Sequence, residues 1–507
     1  MCGIIAIINH SGSGIEDNYN AHKMLKAIEH RGKDQALIDR HSRCVVGYRR
    51  LAITDVSTHK KSSHSTELPE WHIYLNGEIY NYKNLAAQLA IPNATEEQVL
   101  EAGFAIYGPE FVRKLNGMFM IVAEFDGSVY LFRDRYGIKP GYMAAFDGGI
   151  LFASEIKALL AHPSVTAKEN QRAVDQWLTF NNVFTSDTFF DGVQEFPAAT
   201  WAVIRPASTT VAMHQYWKWE YNTKPIDYKD AVELTRELVI QAIQRQIPDE
   251  VPFGCCLSGG LDSNIILSQV PPCPAFTVGF SGVRDERALA EKQTSLNYHV
   301  VYSGVEFMRE AITALEDLKV GASWSNYGLC LLASKFCKVL FDGTGSDELF
   351  GGYPWRDNME VPYYSVVNRT GKQSAEMEAL FAILYPVDSP ENRRAFDAEH
   401  FMKAVLQVGD RMSMAHTIEM RVPFLDNDLV DFVLSLPMEY LQGKRLLKDA
   451  FWGMISAEVL DAPKRGFSSP DWFDVGAPGN QADRWARAAL REWREIFINS
   501  GNAGQSE

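Results

Sequence analysis

The sequence contains no apolar run of 18 residues, and this absence predicts a chain without a membrane-spanning helix. Its first residues lack the basic, apolar and small-residue layout of a secretory signal. Basic residues are in the minority, because 49 lysines and arginines against 64 aspartates and glutamates give a net charge of −15. We therefore expect a cytoplasmic protein that binds neither nucleic acid nor membranes, although a local basic pocket can still hold a phosphate.

Cysteine is scarce and scattered along the chain. The seven cysteines are an odd number without metal-type spacing, which predicts buried thiols in a reducing compartment for all but Cys2. The twelve histidines show no HExxH or paired pattern, so the sequence predicts no zinc site. A Gly-Lys-Ser/Thr ending after a glycine-rich run is also missing, which excludes a Walker phosphate loop.

Length and composition predict a globular chain of more than one domain. The 507 residues are 46% hydrophobic and 22% charged, which is enough apolar material for large cores. Over roughly the first two hundred residues, short apolar runs alternate with glycine-containing turns, and helical patterns lie between them at 20–29 and 96–107. This half of the chain therefore predicts an α+β layered domain.

The pattern changes after about Tyr216. A polar stretch ends at Pro225, and an amphipathic helix pattern follows over 227–246. Strand-like runs then alternate with helical segments, which is typical of a parallel sheet covered by helices. The limits that we predict are a first domain at 1–205, a linker at 206–226, a second domain at 227–498 and a disordered tail at 499–507.

Cys2 is the first candidate nucleophile. Removal of Met1 would place a thiol and a free α-amine on one residue. An α-amine has a pKa of about 7.7–8, so a useful fraction is neutral near pH 7. It can then take the proton of the thiol and leave the nucleophilic thiolate.

Three further segments carry candidate chemistry. Arg50, followed by the apolar run 51–53, offers a planar cation for a carboxylate. The Asn76 amide and the Gly77 N–H can together form an oxyanion hole, and Glu96 at a helix start can bind an ammonium group. Taken singly, each segment is better explained without catalysis, as a surface ion pair, an Asn-Gly turn and a charge at a helix N-terminus.

Taken together, these segments resemble the class II, N-terminal-nucleophile glutamine amidotransferase domain over roughly residues 2–200. Further landmarks of that family are the runs 30–32, 133–134, 136–140 and 152–157. The resemblance implies that Cys2 attacks the glutamine amide. It implies an oxyanion site and a glutamine site formed by Arg50, Ile53, Asn76, Gly77, Glu78 and Glu96. Glu96 and Lys33 stand where the family commonly has aspartate and proline.

A phosphate-binding loop is predicted after the apolar strand pattern 251–257. In the run Ser258-Gly259-Gly260-Leu261-Asp262-Ser263, backbone N–H groups can face a phosphate at the start of a helix. Ser258 and Ser263 add hydroxyl donors, and Asp262 can hold Mg²⁺. The alternative is a tight turn with exposed serines, and this composition directly after a long apolar strand argues against it.

This run resembles the pyrophosphate loop of the N-type ATP pyrophosphatases. With the runs 342–353, 413–426 and 463–470, the chain resembles the glutamine-dependent asparagine synthetases over almost its whole length. The implied architecture is an α+β N-terminal-nucleophile sandwich domain followed by an α/β parallel-sheet ATP pyrophosphatase domain. A homodimer is also suggested by this resemblance alone.

The resemblance also implies roles for individual residues of the second half. Mg²⁺ would be held by Asp262 and Asp347, and charge on the pyrophosphate would be stabilised by Lys464. For Lys444, a role in phosphate binding and simple solvent exposure are almost equally supported. The residues implied in ATP binding are Leu257, Ser258, Gly259, Gly260, Asp262, Ser263, Val278, Asp342, Gly343 and Lys444.

Thr344 is the departure with the greatest consequence. Asparagine synthetases carry an acidic residue at this catalytic position, and the related β-lactam synthetases carry tyrosine. Threonine can donate a hydrogen bond but cannot act as a base near neutral pH. A smaller departure is Ala462, where an arginine often precedes the Pro-Lys pair.

Three hypotheses follow, in order of preference. The first is asparagine synthesis from glutamine, aspartate and ATP. The second is amidation of a different carboxylate in a modification or natural-product pathway, and the intact Cys2 argues against a β-lactam synthetase. The third is a glutaminase or nucleotide-binding homologue whose synthetase site is impaired.

Overall fold

The computed structural model describes residues 2–10, 12–56, 70–205, 210–281, 287–320, 324–354, 356, 358–462 and 478–499. The chain divides into an N-terminal unit of residues 1–170 and 185–218 and a C-terminal unit of residues 171–184 and 219–507. The short segment 171–184 therefore packs with the C-terminal unit despite its place in the sequence. The predicted domain limits stay predictions, and of the predicted tail only Asn499 lies within the described residues.

Antiparallel strands dominate the N-terminal unit. Its strands are β1 (Gly3–Asn9), β2 (Gln35–Arg40), β3 (Cys44–Arg50), β4 (His72–Ile79), β5 (Gly117–Phe125), β6 (Ser128–Arg133), β7 (Tyr142–Phe146), β8 (Gly149–Ala153), β9 (Val193–Glu195), β10 (Thr200–Ile204) and β11 (Ala212–Gln215). Its helices are α1 (Ile15–Ala27), α2 (Tyr82–Gln88), α3 (Glu96–Tyr107) and α4 (Ile156–Leu160). The strands form two sheets in the orders β2-β3-β1-β8-β7-β9 and β11-β10-β6-β5-β4.

The two sheets pack face to face around one apolar core. Alternate residues of β1, Ile4 and Ala6 among them, share this core with Met120 and Val122 of β5. Helices cover the outer face of the second sheet, where Phe104 of α3 is buried against its strands. The predicted sandwich architecture with helical outer layers is confirmed.

A five-stranded parallel sheet forms the centre of the C-terminal unit. Its strands are β12 (Phe253–Cys256), β13 (Ala275–Phe280), β14 (Asn297–Tyr302), β15 (Val339–Phe341) and β16 (Glu419–Arg421). Their order is β14-β13-β12-β15-β16, and every pairing is parallel. The chain moves from β12 outward to β14 and then returns to the other side of β12. The switch point, at which α/β sheets bind ligands, therefore lies between β12 and β15.

The C-terminal unit also contains helices, several of which contact the parallel sheet. They are α5 (Gln171–Phe180), α6 (Tyr228–Arg245), α7 (Leu261–Gln269), α8 (Arg287–Gln293), α9 (Met308–Leu315), α10 (Ser325–Ala333), α11 (Ser346–Leu349), α12 (Tyr363–Val367), α13 (Ala375–Leu384), α14 (Pro390–Phe396), α15 (Lys403–Met414), α16 (Asn427–Val433), α17 (Met438–Leu441), α18 (Arg445–Ala450), α19 (Ala457–Leu460) and α20 (Gln481–Arg494). Among the described residues, no helix is both long and apolar enough to cross a membrane.

The sequence pattern predicts most element types correctly and their ends less well. The helix predicted at 96–107 has these same limits in the structure, because Thr95 caps it and pairs with Gln98 in a capping box. The helix predicted at 20–29 begins earlier, at Ile15, because the Gly14 N–H donates to the Asp17 carboxylate, 2.7 Å away. Ile15 is exposed, so an apolar pattern carries no signal for this first turn. All seven cysteines are free thiols. Five of the six that were predicted to be buried are so, and Cys256 is half-buried.

Replacement of Phe104 tests the outer layer of the N-terminal unit. Its ring stacks on Trp71 and Phe132 with centroid distances of 5.2 and 4.5 Å, and it is 1% exposed. We expect Phe104→Ala to lower the free energy of unfolding by about 3–5 kcal/mol, because a large cavity is left behind. Ile106→Ala on the same helix is the control, since Ile106 is 63% exposed. Equal urea-denaturation curves for both variants would contradict the described packing.

Candidate active sites

Cys2 lies buried at the end of the core between the two sheets, directly before β1. Its backbone N–H donates to Asn76 Oδ1 at 3.0 Å, and its Sγ lies 2.9 Å from the Tyr48 hydroxyl. Its carbonyl oxygen accepts from Arg31 Nε at 3.0 Å. The nucleophile predicted from the sequence is therefore held on both sides of its Cα by side chains from other segments.

The Tyr48 hydroxyl faces the thiol of Cys2 in a fully buried position. It also lies 2.8 Å from the carbonyl oxygen of Leu75. Burial, with the neighbouring Cys2 thiol as a further cause, raises the pKa of Tyr48 well above its usual value. Tyr48 is therefore a neutral phenol whose hydroxyl can donate a hydrogen bond to the sulfur.

A buried ion pair fixes the segment that holds the Cys2 carbonyl. Arg31 is fully buried and donates through Nη1 to Glu155 Oε1 at 2.7 Å, while His30 Nε2 lies 3.0 Å from Glu155 Oε2. Two landmark runs of the sequence thus meet in one contact. Their role in this structure is to position the backbone at Cys2.

Asn76 and Gly77 lie within β4 and not in a turn, so the turn interpretation of this pair is wrong. The Asn76 side chain is fully buried, and its Nδ2 has no hydrogen-bond partner in the part of the chain that the structure describes. This orphaned donor belongs to the same amide that accepts from Cys2, so it is available to an oxyanion beside the thiol. At Gly77 φ is +143°, and a Cβ would lie 1.9 Å from the Met118 carbonyl oxygen. Only glycine fits there.

Arg50 and Glu78 both contact Thr54, which lies in the described segment 51–56 after β3. One Arg50 nitrogen donates to the carbonyl oxygens of Thr54 and Asp55 at 3.0 Å each, and Arg50 is buried, so the surface position of the alternative interpretation is wrong. The Thr54 hydroxyl donates to Glu78 Oε2 at 2.8 Å. Ile53 between them is buried. The structure thus brings together three of the residues that were predicted to bind glutamine.

Glu96 is buried as the first residue of α3. Its Oε1 accepts from the Ile79 N–H at 2.8 Å, directly after Glu78 on the chain. This contact ties α3 to the end of β4, so Glu96 has a structural partner in addition to its predicted role in binding an ammonium group.

The predicted phosphate loop leaves β12 and enters α7. Within it, the Ser258 N–H and Oγ both lie 3.1 Å from Ser263 Oγ, and the Gly260 N–H donates to Ser258 Oγ at 3.1 Å. The two serine hydroxyls therefore brace the turn. Leu257 before the loop is buried, and Val278 on the neighbouring strand β13 is half-buried.

The loops after β12 and β15 face each other across the switch point. Lys444 Nζ lies 2.5 Å from Asp262 Oδ1 and 2.6 Å from Asp347 Oδ1, and the Ser346 hydroxyl donates to Asp262 Oδ1 at 2.7 Å. Lys444 is 5% exposed, so the alternative of solvent exposure is wrong. Burial alone would lower the pKa of Lys444, but the two carboxylates outweigh it and raise this pKa.

Two glycines make this close contact possible. A Cβ on Gly352 would lie 2.0 Å from Asp347 Oδ1 and 2.5 Å from Lys444 Cε. A Cβ on Gly343 would lie 2.9 Å from the Asp262 Cβ. Glycine at these positions therefore keeps the two loops together around one cation.

Carboxylate oxygens from both loops converge on the Lys444 ammonium. Asp262 and Asp347 approach the same nitrogen to within 2.6 Å, so their oxygens already share one cation position. Oxygen donors of this type are the ligands that Mg²⁺ prefers, and the two residues therefore fit the ion predicted from the sequence. Beside them, burial and Asp347 raise the pKa of Glu348 to about 7.

Thr344 caps the loop after β15. Its backbone N–H donates to Asp342 Oδ1 at 2.9 Å, and its hydroxyl donates to the same oxygen. No acidic side chain occupies this position, and the threonine hydroxyl is already used within the loop. Lys464, the other predicted catalytic residue of this half, lies outside the described residues.

The sequence analysis missed two polar side chains of the N-terminal site. Tyr48 belongs to an apolar strand and faces the inter-sheet core with Cys44 and Val46. The sequence did carry one signal for it, namely a hydroxyl-bearing side chain at a core-facing position of an apolar strand. Thr54 had no comparable signal, because its contact with Glu78 joins two segments that are adjacent only in the folded chain.

Fold and sites together define a protein that joins a buried N-terminal cysteine site on an antiparallel sandwich to a nucleotide-type site on a parallel sheet. The family model for the glutamine amidotransferase domain matches residues 1–217, and the model for asparagine synthase matches residues 234–504. The chain belongs to the asparagine synthase family, as predicted.

Curated relatives match along most of their length. Asparagine synthetase [glutamine-hydrolyzing] 1 of Bacillus subtilis is 26% identical over 97% of this chain and 90% of its own. Asparagine synthetase B [glutamine-hydrolyzing] of Escherichia coli is 25% identical over 94% of this chain and 84% of its own. Amidase chry2 of Gibberella zeae is 26% identical over 94% of this chain and 90% of its own.

Removal of the Lys444 charge tests the C-terminal site. We expect Lys444→Met to lower the free energy of unfolding of the C-terminal unit by about 3–5 kcal/mol, because two nearby carboxylates lose the lysine that they share. Millimolar Mg²⁺ should recover part of this loss if Asp262 and Asp347 can share a divalent ion. The measurement is urea denaturation with and without MgCl₂, and Lys448→Met in α18 is the control. A loss that Mg²⁺ leaves unchanged would contradict the fit to this ion.

Proposed function

We propose that the chain is a glutamine-hydrolysing amide synthetase whose first-choice acceptor is aspartate. The observation that carries the proposal is the presence of two sites in one chain. In one, Cys2 donates a hydrogen bond to Asn76, and in the other, Asp262 and Asp347 form ion pairs with Lys444. Family membership and relatives named as glutamine-hydrolyzing asparagine synthetases support it.

The first reaction takes place at Cys2. The thiolate attacks the side-chain carbonyl carbon of glutamine, and the resulting oxyanion accepts hydrogen bonds from Asn76 Nδ2 and the Gly77 N–H. The α-amine of Cys2, which took the thiol proton, returns it to the amide nitrogen as the carbon–nitrogen bond breaks and ammonia leaves. Water then hydrolyses the thioester to glutamate and restores the thiol. Arg50 and Glu78 bind the charged backbone groups of glutamine, and Thr54 contacts both of these side chains.

The second reaction takes place at the switch point. A carboxylate oxygen of the acceptor attacks the α-phosphorus of ATP, pyrophosphate leaves, and an acyl-adenylate forms. Ammonia then attacks the acyl carbon, and AMP leaves with the amide product. Lys444 and the backbone N–H groups at the start of α7 stabilise negative charge on the phosphates. Bound Mg²⁺, held by Asp262 and Asp347, would neutralise further phosphate charge.

Two classes of acceptor acid are candidates for activation at the switch point. Aspartate is favoured because the named synthetase relatives match the chain over both halves. A different carboxylate is the second candidate, and two observations favour it. Thr344 supplies no base at a position where asparagine synthetases carry an acid, and a similarly matched relative is named as an amidase. A cytoplasmic location and a homodimer stay predictions.

Aspartate dependence separates the candidate functions. With Met1 removed, ATP, Mg²⁺ and glutamine should give pyrophosphate and asparagine only when aspartate is added. Pyrophosphate release is followed by a coupled assay, and the amide product by mass spectrometry. Pyrophosphate with another acid but not with aspartate would support the second candidate. Glutamate release without pyrophosphate for any acid would contradict synthetase function.

Two substitutions test whether the sites work independently. Cys2→Ala should abolish glutamine-dependent synthesis and retain synthesis from added ammonium salts, since only the nucleophile is lost. Asp262→Asn should abolish pyrophosphate release and retain glutaminase activity. Cys44→Ala is the control, because Cys44 is a buried thiol of the same core that makes no predicted contact with substrate. Loss of both activities in a folded Cys2→Ala protein would contradict separate sites.

A further inference from the structure

A cluster of ligand-type side chains lies in the N-terminal unit, at the opposite end of the sheets from Cys2. His41 lies between β2 and β3 of the first sheet. His72 opens β4 of the second sheet, and Glu124 is its cross-strand partner on β5. Because the three residues come from separate elements, no spacing in the sequence pairs them, and the prediction of no zinc site rests on such spacings alone.

The three side chains converge on one point. Glu124 Oε2 lies 3.4 Å from His41 Nδ1 and 3.8 Å from His72 Nε2, and the candidate ligand atoms all lie within 4.8 Å of one another. The side chains of His41 and Glu124 are each 10% exposed, and that of His72 is 17% exposed. The cluster is thus largely enclosed but can be reached from solvent.

The hydrogen bonds around the cluster leave acceptors facing each other. The Tyr74 hydroxyl donates to Asp39 Oδ2 at 2.7 Å, so its oxygen must accept from His41 Nε2, 2.9 Å away. The ring of His41 then presents the lone pair of Nδ1 to Glu124 Oε2. Two lone pairs at this separation repel unless a cation or a proton lies between them.

Glu124 is oriented for such a contact. Its Oε1 accepts from the Gly127 N–H at 2.7 Å, which leaves Oε2 to face the histidines. On the other side, the His41–Tyr74–Asp39 chain fixes the orientation and tautomer of the imidazole. An outer hydrogen bond of this kind is characteristic of histidines that bind metals.

We propose that His41, His72 and Glu124 bind a transition-metal ion, with Zn²⁺ as the best fit. Two imidazoles and one carboxylate form a donor set that zinc accepts, with a fourth position open to water. The ion would link the turn of the first sheet to two strands of the second and so cross-link the sandwich. Asn76 lies four residues along β4 from His72, about 13 Å at about 3.3 Å per residue, so this role is structural.

Metal titration of the full chain tests the site. After chelator treatment, Co²⁺ should produce visible d–d absorption that saturates at one ion per chain, and Zn²⁺ should displace it. Zn²⁺ should also raise the midpoint of the first thermal transition by at least about 3 °C. His72→Gln and Glu124→Gln should lose both effects. His22→Gln, at an exposed position on α1, is the control and should retain them.

The wild-type chain alone can overturn the proposal. If it gives no Co²⁺ absorption and no Zn²⁺-dependent shift, the three side chains bind no metal ion and the proposal is wrong. Equal metal binding by wild type and by folded His72→Gln or Glu124→Gln would also refute the site. Circular dichroism shows whether the variants are folded. None of these results depends on the proposed enzymatic function.

Discussion

The C-terminal unit depends on the contact of one buried ammonium, that of Lys444, with two carboxylates. Asp262 belongs to the loop after β12, Asp347 to the loop after β15, and Lys444 to a turn with positive φ far along the chain. Without a cation, two carboxylates so close together would repel each other in a poorly solvated place. The lysine therefore holds both loops at a set separation across the switch point, which a polyphosphate ligand requires.

Close backbone approach is the shared constraint of both sites. Gly77 brings the strand of Asn76 against Met118, and Gly352 admits the Asp347 carboxylate and the Lys444 side chain to the same space. In each case a Cβ would clash with the groups that the site consists of. The glycines of the two motifs thus matter less for flexibility than for the room they leave.

Local patterns and motifs predicted much of the fold and part of the sites. The capped helix at Glu96 and the strand before Ser258 were readable because propensity and periodicity agree there. Lys444 was ambiguous, because burial of a lysine is decided by partners that come together only on folding. Tyr48 and the histidine cluster were missed for the same reason: their contacts join strands whose pairing no local pattern records. Contacts between residues that are far apart in the sequence are therefore the ones that local patterns do not predict.

An amide synthetase must both bind phosphates and act on an acceptor acid, and different residues of the loop after β15 serve these two requirements. Gly343 lies against Asp262, and Asp347 contacts Lys444, so the proposed phosphate contacts are made by neighbours of Thr344. In the hydrogen bond described for its side chain, Thr344 donates to Asp342 of the same turn. A change at position 344 therefore need not move the phosphate contacts. Activation of an acid by ATP can persist in such a loop while the acid, or the group that attacks it, changes.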